Sequence, residues 1–474
     1  MIEASSTQGT SQWLNVFDKA NLTPRYFVTL GLLVLQEMFE FYDFFLVGYL
    51  VAILAPSWHL TYGQSAMMLL SAGIGAVVGA LFFGKWADRF GRRTLISVGG
   101  IIFSVGCGGC AFLPDGAWLS FSVLRFLVGF GMAGAITTQN ALVVEMTPTR
   151  YRTFLSSLMI APVALGTMLA ALVSAQLLPL LGWRGLAATG AFPILISLGV
   201  WLWAPESVRW LLTRNRFADA RREAARQLGV PLEQVQLPAS APVPIPPVPL
   251  TELLRDRRRF WWVVALWAGM ATSTYGVQLW GPTILSQLLR IPTRQAAKYF
   301  VALALVSFVG RIMFSVLPVR IGRRRSGEIM GYASTVVLLI AAFFHREFIA
   351  GWSVFALTIV IGALFYSGGF ANMTPYTLES HPVRLSARAL GLGQSMNGIG
   401  KILGPLVLAL IAGTNDVVSP KATAAAVTPA FIFLALCSLV AGIASTLFRV
   451  ETHGRPLSLR DQPEAELQTA SVGK

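Results

Sequence analysis

Long apolar segments dominate this sequence and constrain its fold more than any other feature. The hydrocarbon core of a bilayer is about 30 Å thick, and a helix needs roughly 20 apolar residues to cross it. Each segment is therefore predicted to be a membrane-spanning helix. The twelve segments lie near 27–53, 65–84, 94–113, 118–144, 154–178, 186–204, 260–287, 296–318, 327–345, 350–377, 389–412 and 427–448.

Composition agrees with a membrane environment. Hydrophobic residues make up 55% of the 474 residues and charged residues only 12%, which is far from the balance of a soluble domain. The net charge of +15 would indicate a nucleic-acid partner in a soluble chain. Here the basic residues fall between apolar segments, as the positive-inside rule requires. We predict a multi-pass protein of the plasma membrane, of the bacterial inner-membrane type, with no nucleic-acid partner.

The distribution of basic residues also predicts the topology. Lysine and arginine cluster in alternate connections, whereas the opposite loops are poor in charge, so both termini are expected in the cytoplasm. We predict an all-α fold of twelve spanning helices in two bundles. Its parts are a cytoplasmic segment 1–26, a six-helix bundle 27–204, a linker 205–259 with short helices and a proline-rich stretch, a second six-helix bundle 260–449 and a cytoplasmic tail 450–474.

Three carboxylates interrupt the first apolar segment. Glu37, Glu40 and Asp43 recur at every third position and so share one face of a helix. An acidic side chain near the centre of a bilayer costs a few kcal/mol unless it is paired, protonated or next to a cavity. This face predicts a proton or ion pathway. The alternative is structural pairing with basic groups on neighbouring helices.

The two halves of the sequence repeat each other. GKWADRFGRR at 84–93 has a counterpart, SVLPVRIGRR, at 315–324, and VEMTPTR at 144–150 has a counterpart, LESHPVR, at 378–384. Both offsets are about 230 residues, as one duplication of a six-helix unit would produce. Parallel repeats of this kind are a known transporter architecture.

These motifs resemble those of the major facilitator superfamily over nearly the whole chain. Residues 84–93 resemble its loop between the second and third helices. PESVRWL at 205–211 and ETHGRPL at 451–457 resemble the signatures of its sugar-porter and organic-ion branch. The resemblance implies two six-helix bundles and secondary transport. Because Val319 stands where the first half has Asp88, any aspartate-based latch is expected to be stronger in the N-terminal half.

The repeated loops bring acids and arginines to one predicted surface. Charge-assisted pairs among them could close a cytoplasmic gate and break when it opens. The alternative is that the charges only orient the protein in the membrane. The predicted gate residues are Asp88, Arg89, Arg92, Glu145, Arg150, Arg152, Glu206, Arg209, Arg323, Arg324, Glu379 and Arg384.

Arg125 in the fourth segment is expected at the same depth as Asp43, at roughly 1.5 Å of rise per residue. In proton-coupled members of the superfamily an acid on the first helix faces an arginine on the fourth. The resemblance therefore implies a proton-coupling role for Asp43 and Arg125, with Glu37 and Glu40 as further candidates.

Lys401 is the other unusual charge, roughly 20 Å into the eleventh segment. Gln394, Asn397 and Lys401 are spaced to share one helix face, and an ammonium flanked by amides suits a carboxylate. A structural ion pair with Glu37 or Glu40 is the alternative. The remaining predicted substrate-binding residues come from the seventh and tenth segments, where helix packing is again the alternative. They are Tyr275, Gln278, Trp280, Tyr366, Asn372 and Tyr376.

Several patterns are given no catalytic or cofactor role. The glycines of GFGMAG at 129–134 and the cysteines of CGGC at 107–110 lie in apolar segments, where small residues permit close helix packing. The four histidines have no metal-ligand spacing, and no glycine loop is followed by a Walker lysine. We predict a protein that is not an enzyme and has neither metal nor cofactor.

The seventh segment narrows the predicted substrate. YGVQLWGP at 275–282 resembles aromatic-acid and nicotinate symporters more than sugar porters. We predict a monomeric, proton-coupled importer of a small organic anion, such as nicotinate or a benzoate. The alternatives are a sugar or organic-cation symporter or a drug exporter of the same fold, and a nutrient sensor that does not transport.

Overall fold

The computed structural model describes residues 22–148, 151, 155, 161–235 and 250–448. Arg150 and Arg152 lie outside these ranges, as do most of the N-terminal segment, the proline-rich part of the linker and the tail. Some described helical positions carry no described side chain. They are residues 84, 85, 88, 161, 234, 250, 251, 383, 384 and 387, so the predicted gate side chains of Asp88 and Arg384 are also outside the described part.

The N-terminal half consists of helices joined by short turns. The long helices are α1 Pro24–Ser57, α2 Tyr62–Phe90, α3 Arg92–Gly109, α4 Trp118–Met146, α5 Ala161–Ala188 and α6 Pro193–Trp203. Two 3-10 turns, Cys110–Phe112 and Thr189–Ala191, lie between them. The linker adds α7 Val208–Thr213, α8 Phe217–Leu228 and the 3-10 turn Leu232–Gln234, followed by α9 Leu250–Leu253.

The C-terminal half repeats this plan. Its helices are α10 Arg257–Leu289, α11 Thr293–Ile321, α12 Arg323–Phe343, α13 Val354–Tyr366, α14 Phe370–Glu379, α15 Val383–Ala412 and α16 Pro420–Phe448. A two-stranded antiparallel hairpin, β1 Phe348–Ile349 and β2 Trp352–Ser353, connects α12 to α13.

The helices agree with the predicted membrane spans. Ten helical stretches among the described residues are long and apolar enough to cross a bilayer. One of them, Pro162–Trp203, covers 42 residues and contains Gly182 at φ 63°, where the fifth predicted span gives way to the sixth. Helix α10, with 33 residues, corresponds to the seventh predicted span. The all-α membrane fold is confirmed, and this arrangement is consistent with twelve spans.

The chain forms two compact units, Met1–Trp58 with Met67–Pro246 (unit 1) and His59–Ala66 with Pro247–Lys474 (unit 2). The start of α2 belongs to unit 2 because of its backbone hydrogen bonds. The N–H of Tyr62 donates to the Asp416 carbonyl at 2.9 Å, and the N–H of Gly63 donates to the Thr414 carbonyl at 2.9 Å. Unit membership therefore changes inside α2.

Small residues set the spacing between helices in unit 1. A Cβ atom on Gly129 would lie 1.8 Å from the carbonyl oxygen of Ala72, so α2 and α4 touch at this glycine. A Cβ on Gly131 would lie 2.5 Å from the carbonyl oxygen of Gly99 on α3. The interpretation of the 129–134 glycines as packing residues is confirmed.

Glu206, from the signature after the sixth span, caps the N-terminus of α3. Its Oε1 accepts from the backbone N–H groups of Arg92 at 2.8 Å, Arg93 at 3.2 Å and Ser207 at 2.9 Å. The N–H groups of Arg92 and Arg93 are donors that the first turn of α3 leaves without helical partners. Gly91 precedes them at φ 92°, and a Cβ there would lie 2.3 Å from the other Glu206 carboxylate oxygen. Glycine is required on both counts.

Burial raises the pKa of Glu206, and the backbone N–H groups of Ser207, Arg93 and Arg92 offset part of that rise. With a folded pKa above the unfolded value, the stability that this group contributes is fully present below the unfolded pKa and is lost as pH rises through the folded pKa.

We expect Glu206→Ala to destabilise the protein by about 1–3 kcal/mol, because three buried N–H groups lose their acceptor. Glu206→Gln keeps a carbonyl oxygen and is expected to cost less and to flatten the pH dependence of stability in the acidic range. Thermal unfolding of both variants in detergent at several pH values checks this. Equal losses for alanine and glutamine would contradict the capping role.

Candidate functional site

Asp43 and Arg125 form an ion pair inside unit 1. Both side chains are 0% exposed. The Nη1 of Arg125 lies 3.2 Å from Asp43 Oδ1 and 3.1 Å from Oδ2, and its Nη2 donates to the Asp43 backbone carbonyl at 3.1 Å. The sequence predicted Asp43 and Arg125 at similar depths, and α1 and α4 bring the two side chains into contact. Breaking such a pair leaves an uncompensated buried charge.

Cys107 completes the surroundings of this pair. Its Sγ lies 3.9 Å from Arg125 Nη1 and 3.7 Å from the Ala187 carbonyl, to which it donates. A Cβ on Gly190 would lie 2.1 Å from Cys107 Sγ and 3.1 Å from Asp43 Oδ1, so a glycine lets the 3-10 turn 189–191 approach the pair. From the sequence, Cys107 was interpreted only as a residue that permits close helix packing. No charged residue close to it in the sequence pointed to the contact with Arg125.

The other acids of α1 are buried as well. Glu40 is 0% exposed and Glu37 is 4% exposed, and within the described residues Glu37 Oε2 has no hydrogen-bond partner. Gln36, one turn before Glu40, donates from Nε2 to the Ile96 carbonyl on α3 at 3.1 Å. A polar stripe thus runs along the interior of α1 toward Asp43.

The predicted gate residues form matching pairs within each unit. Arg92 binds Glu145 at 3.2 Å in unit 1. At the repeated position in unit 2, Arg323 binds Glu379 through two contacts of 3.1 and 3.2 Å. In both units the arginine that begins the helix after the basic loop holds the acid at the end of a later helix. A gate role for these pairs stays a prediction.

The remaining gate candidates have other surroundings. Arg89 lies over the Phe90 ring at 5.3 Å, Arg324 pairs with Glu328 on its own helix at 3.0 Å, and Glu206 is the cap of α3. Arg209 is half-buried in α7. Asn372, predicted to bind substrate, joins the Arg323 cluster instead, because its Nδ2 donates to the Arg323 carbonyl at 3.0 Å.

Lys401 and Tyr275 meet inside unit 2. The Lys401 Nζ lies 5.3 Å from the centroid of the Tyr275 ring, a cation–π contact between α15 and α10. Both residues are buried, at 8% and 6% exposure. The Asn397 side chain contacts the Tyr275 hydroxyl, and its Nδ2 donates to Gln394 Oε1 at 3.3 Å. Four of the predicted substrate-binding residues are thus brought together.

Arg311 on α11 is a site residue that the sequence reading missed. Its Nε is buried and has no hydrogen-bond partner among the described residues, and its charge interacts with Tyr275. The available signal was the same as for Arg125, a lone arginine inside an apolar segment. The site in unit 2 therefore contains two basic groups around one tyrosine.

Hydroxyl and amide groups extend this site along α10 and α11. Gln278, about one turn beyond Tyr275, donates from Nε2 to Ser367 Oγ at 3.3 Å. Ser367 Oγ also lies 2.6 Å from the Oγ of Ser307, which is one turn before Arg311. The Gln278 Oε1 is buried without a hydrogen-bond partner among the described residues.

Three predicted aromatic residues contact neighbouring protein groups. Trp280 Nε1 donates to the Pro405 carbonyl at 3.0 Å, and the Tyr366 hydroxyl donates to the Ile359 carbonyl at 2.6 Å. The Tyr376 ring lies 4.7 Å from that of Trp262. Their contacts match the packing alternative. Among the described residues, no group of three or more His, Cys, Asp or Glu side chains is placed to hold a metal ion.

We expect Arg125→Gln to destabilise the protein by about 3–5 kcal/mol, because Asp43 is left buried without its counter-charge. The double variant Arg125→Gln with Asp43→Asn removes both charges and is expected to recover most of that loss. Thermal unfolding of the single and double variants measures the coupling. Additive losses would show that the two residues do not act as a pair.

Comparison with known proteins gives a consistent result. The profile of the Major Facilitator Superfamily matches residues 33–405 and 319–473. The niacin transporter NiaP of Acinetobacter baylyi is 26% identical over 82% of this chain and 88% of its own. The cis,cis-muconate transport protein of the same organism is 23% identical over 79% and 85%, and the gentisate transporter of Corynebacterium glutamicum is 24% identical over 80% and 79%.

Two solved structures show the same fold. The xylose transporter XylE from E. coli, in a partially occluded inward-open conformation, has a TM-score of 0.69 at 17% identity and covers 92% of this chain and 100% of its own. A bacterial homologue of the human lysosomal transporter Spinster, inward-facing and unoccupied, has a TM-score of 0.71 at 18% identity and covers 94% and 100%.

Proposed function

The chain belongs to the major facilitator superfamily, a family of multi-pass membrane transporters, and from this premise we propose that it imports a small organic anion together with protons by alternating access. The preferred substrate is an aromatic monocarboxylate such as nicotinate or a benzoate. The observation that carries the proposal is the buried Lys401 over the Tyr275 ring. The names of the relatives support it, since niacin, muconate and gentisate are all organic acids.

Lys401 supplies the charge that an anion requires. The Lys401 ammonium is 8% exposed and therefore largely removed from water. A substrate carboxylate that binds there accepts a charge-assisted hydrogen bond from it. The Tyr275 ring beneath the ammonium offers an apolar face against which an aromatic substrate can stack. Asn397 and Gln394, on the same face of α15, add polar groups that orient the ligand.

Proton coupling is assigned to the Asp43 and Arg125 pair. Ionised Asp43 accepts from the Arg125 guanidinium at 3.1–3.2 Å in a site without solvent exposure. Protonation of the carboxyl group removes one of the two charges, so the free-energy balance between conformations that keep and break this contact changes. A group with different proton affinities in two conformations shifts their populations as it titrates.

Other substrates of the same fold make different demands on this site. A sugar or an organic cation gains nothing from a buried ammonium, so neither explains Lys401, although the XylE relationship shows that the fold can carry a sugar transporter. A sensor without transport activity would bind the acid and show no flux. Uptake of labelled nicotinate and benzoate into proteoliposomes with an alkaline interior separates these functions.

Lys401→Ala is expected to reduce the affinity for nicotinate by about 100-fold or more. The substrate carboxylate loses its charge–charge contact with the ammonium, and water takes its place. Lys298→Ala, at an exposed lysine of α11, is the matched control and should bind like the wild type. Ligand-induced thermal stabilisation measures both. Unchanged affinity in a folded Lys401→Ala protein would refute the anion-binding role.

Asp43→Asn is expected to abolish accumulation against a concentration gradient while leaving exchange of internal for external substrate intact. An asparagine cannot ionise, so proton binding is no longer linked to the conformational change. The control is Asp115→Asn, whose side chain is 67% exposed. The measurement is uptake and counterflow in proteoliposomes with an imposed pH gradient. Normal accumulation by Asp43→Asn would rule out this residue as the coupling group.

A further inference from the structure

We propose that Arg311 is a second ligand-binding residue, and that together with Lys401 it selects organic acids carrying a hydrogen-bond acceptor on the part of the molecule opposite the carboxylate. The inference rests on the proposed function and narrows its substrate class. A ring nitrogen, a phenolic oxygen or a second carboxylate meets the requirement. An unsubstituted benzoate does not.

Arg311 has unmet hydrogen-bonding capacity. Its Nε is buried, and no described residue accepts a hydrogen bond from it. A buried donor without an acceptor destabilises the folded protein, and more so when the group is charged, so such a group calls for an explanation. A ligand acceptor that arrives during transport would supply the missing partner. Ser315, one turn along α11, hydrogen-bonds the Arg311 backbone carbonyl and not its side chain.

Two basic side chains lie near Tyr275. Lys401 lies over the face of the ring, whereas the Asn397 contact is at the hydroxyl. Arg311 is close enough to Tyr275 for the two side chains to interact electrostatically. Tyr275 therefore has Lys401 over its ring and Arg311 as a second basic neighbour. A substrate that lies along the tyrosine, with its carboxylate on Lys401, would present its far end to Arg311.

The surroundings of Arg311 contain further polar groups. On α11, Arg311 follows Ser307 by one turn, and Ser307 is hydrogen-bonded to Ser367, which accepts from Gln278. Polar groups thus line this side of α10 and α11. In the described part of unit 2, no carboxylate forms an ion pair with Arg311, so its charge is available to a ligand.

Nicotinate and benzoate provide a matched test, because they differ only in a ring nitrogen in place of a C–H group. A site built to hydrogen-bond a substrate atom discriminates strongly against an analogue that lacks it. We expect the purified wild-type protein to bind nicotinate at least about tenfold more tightly than benzoate by isothermal titration. Terephthalate, with a second carboxylate, is expected to bind at least as tightly as nicotinate.

Arg311→Met is expected to bring the nicotinate-to-benzoate ratio to within about threefold of one, because the donor is lost while Lys401 still holds the carboxylate. Arg311→Lys keeps a positive charge on a shorter side chain and is expected to lower the ratio at least about threefold, which tests the proposal if the methionine variant does not fold. Arg320→Met, at an exposed arginine of the same helix, is the control and should keep the wild-type ratio.

The outcomes separate this inference from the proposed function. A wild-type ratio near one, or a ratio unchanged in folded Arg311 variants, overturns the second binding residue and leaves a site that takes carboxylates through Lys401. An equal loss of both ligands in Arg311→Met also overturns it, since selectivity would then not depend on this donor. If the wild type binds none of these acids, the proposed function fails and the inference fails with it.

Discussion

The cost of burying charge in a membrane-spanning bundle is the constraint on which this structure depends. Arg125 and Asp43 are 0% exposed, and each is stable there because the other is within 3.2 Å. Cys107 on α3 and Gly190 in the 3-10 turn 189–191 let these two elements pack around the pair. A charge pair that is costly to separate is also a device that responds strongly when a proton removes one of its charges.

The two units differ in the charged groups that they bury. In unit 1 the acids of α1 are the proposed proton-binding groups, and Arg125 is the counter-charge to Asp43. In unit 2, Lys401 and Arg311 provide positive charge around Tyr275. The pairs Arg92–Glu145 and Arg323–Glu379 occupy repeated positions in the two halves. Both halves thus keep the contact between the arginine after the basic loop and a later helix. The proposed binding chemistry, in contrast, belongs to one half only.

Much of the fold could be predicted because spans are set by local properties. Apolar length, basic connections and repeated motifs located the helices, and Gly182 marks the break between the fifth and sixth spans. The site was predicted less completely. Arg311 was passed over although it interrupts an apolar segment as Arg125 does. Trp280, Tyr366 and Tyr376 were predicted to bind substrate. Each contacts neighbouring protein groups, and their substrate role stays a prediction. Their residue types are equally suited to packing and to binding, so composition alone could not distinguish the two.

By itself, the sequence determined the membrane environment, the all-α fold class, the duplication and the residues whose charge is exceptional in an apolar segment. These follow from composition and from spacing along one helix, which the chain carries locally. The tertiary structure decided which of these residues meet, because partners such as Asp43 and Arg125, or Lys401 and Tyr275, lie far apart in the chain. It also decided that Glu206 caps α3, since a hydrogen bond depends on distances that only the packed helices define.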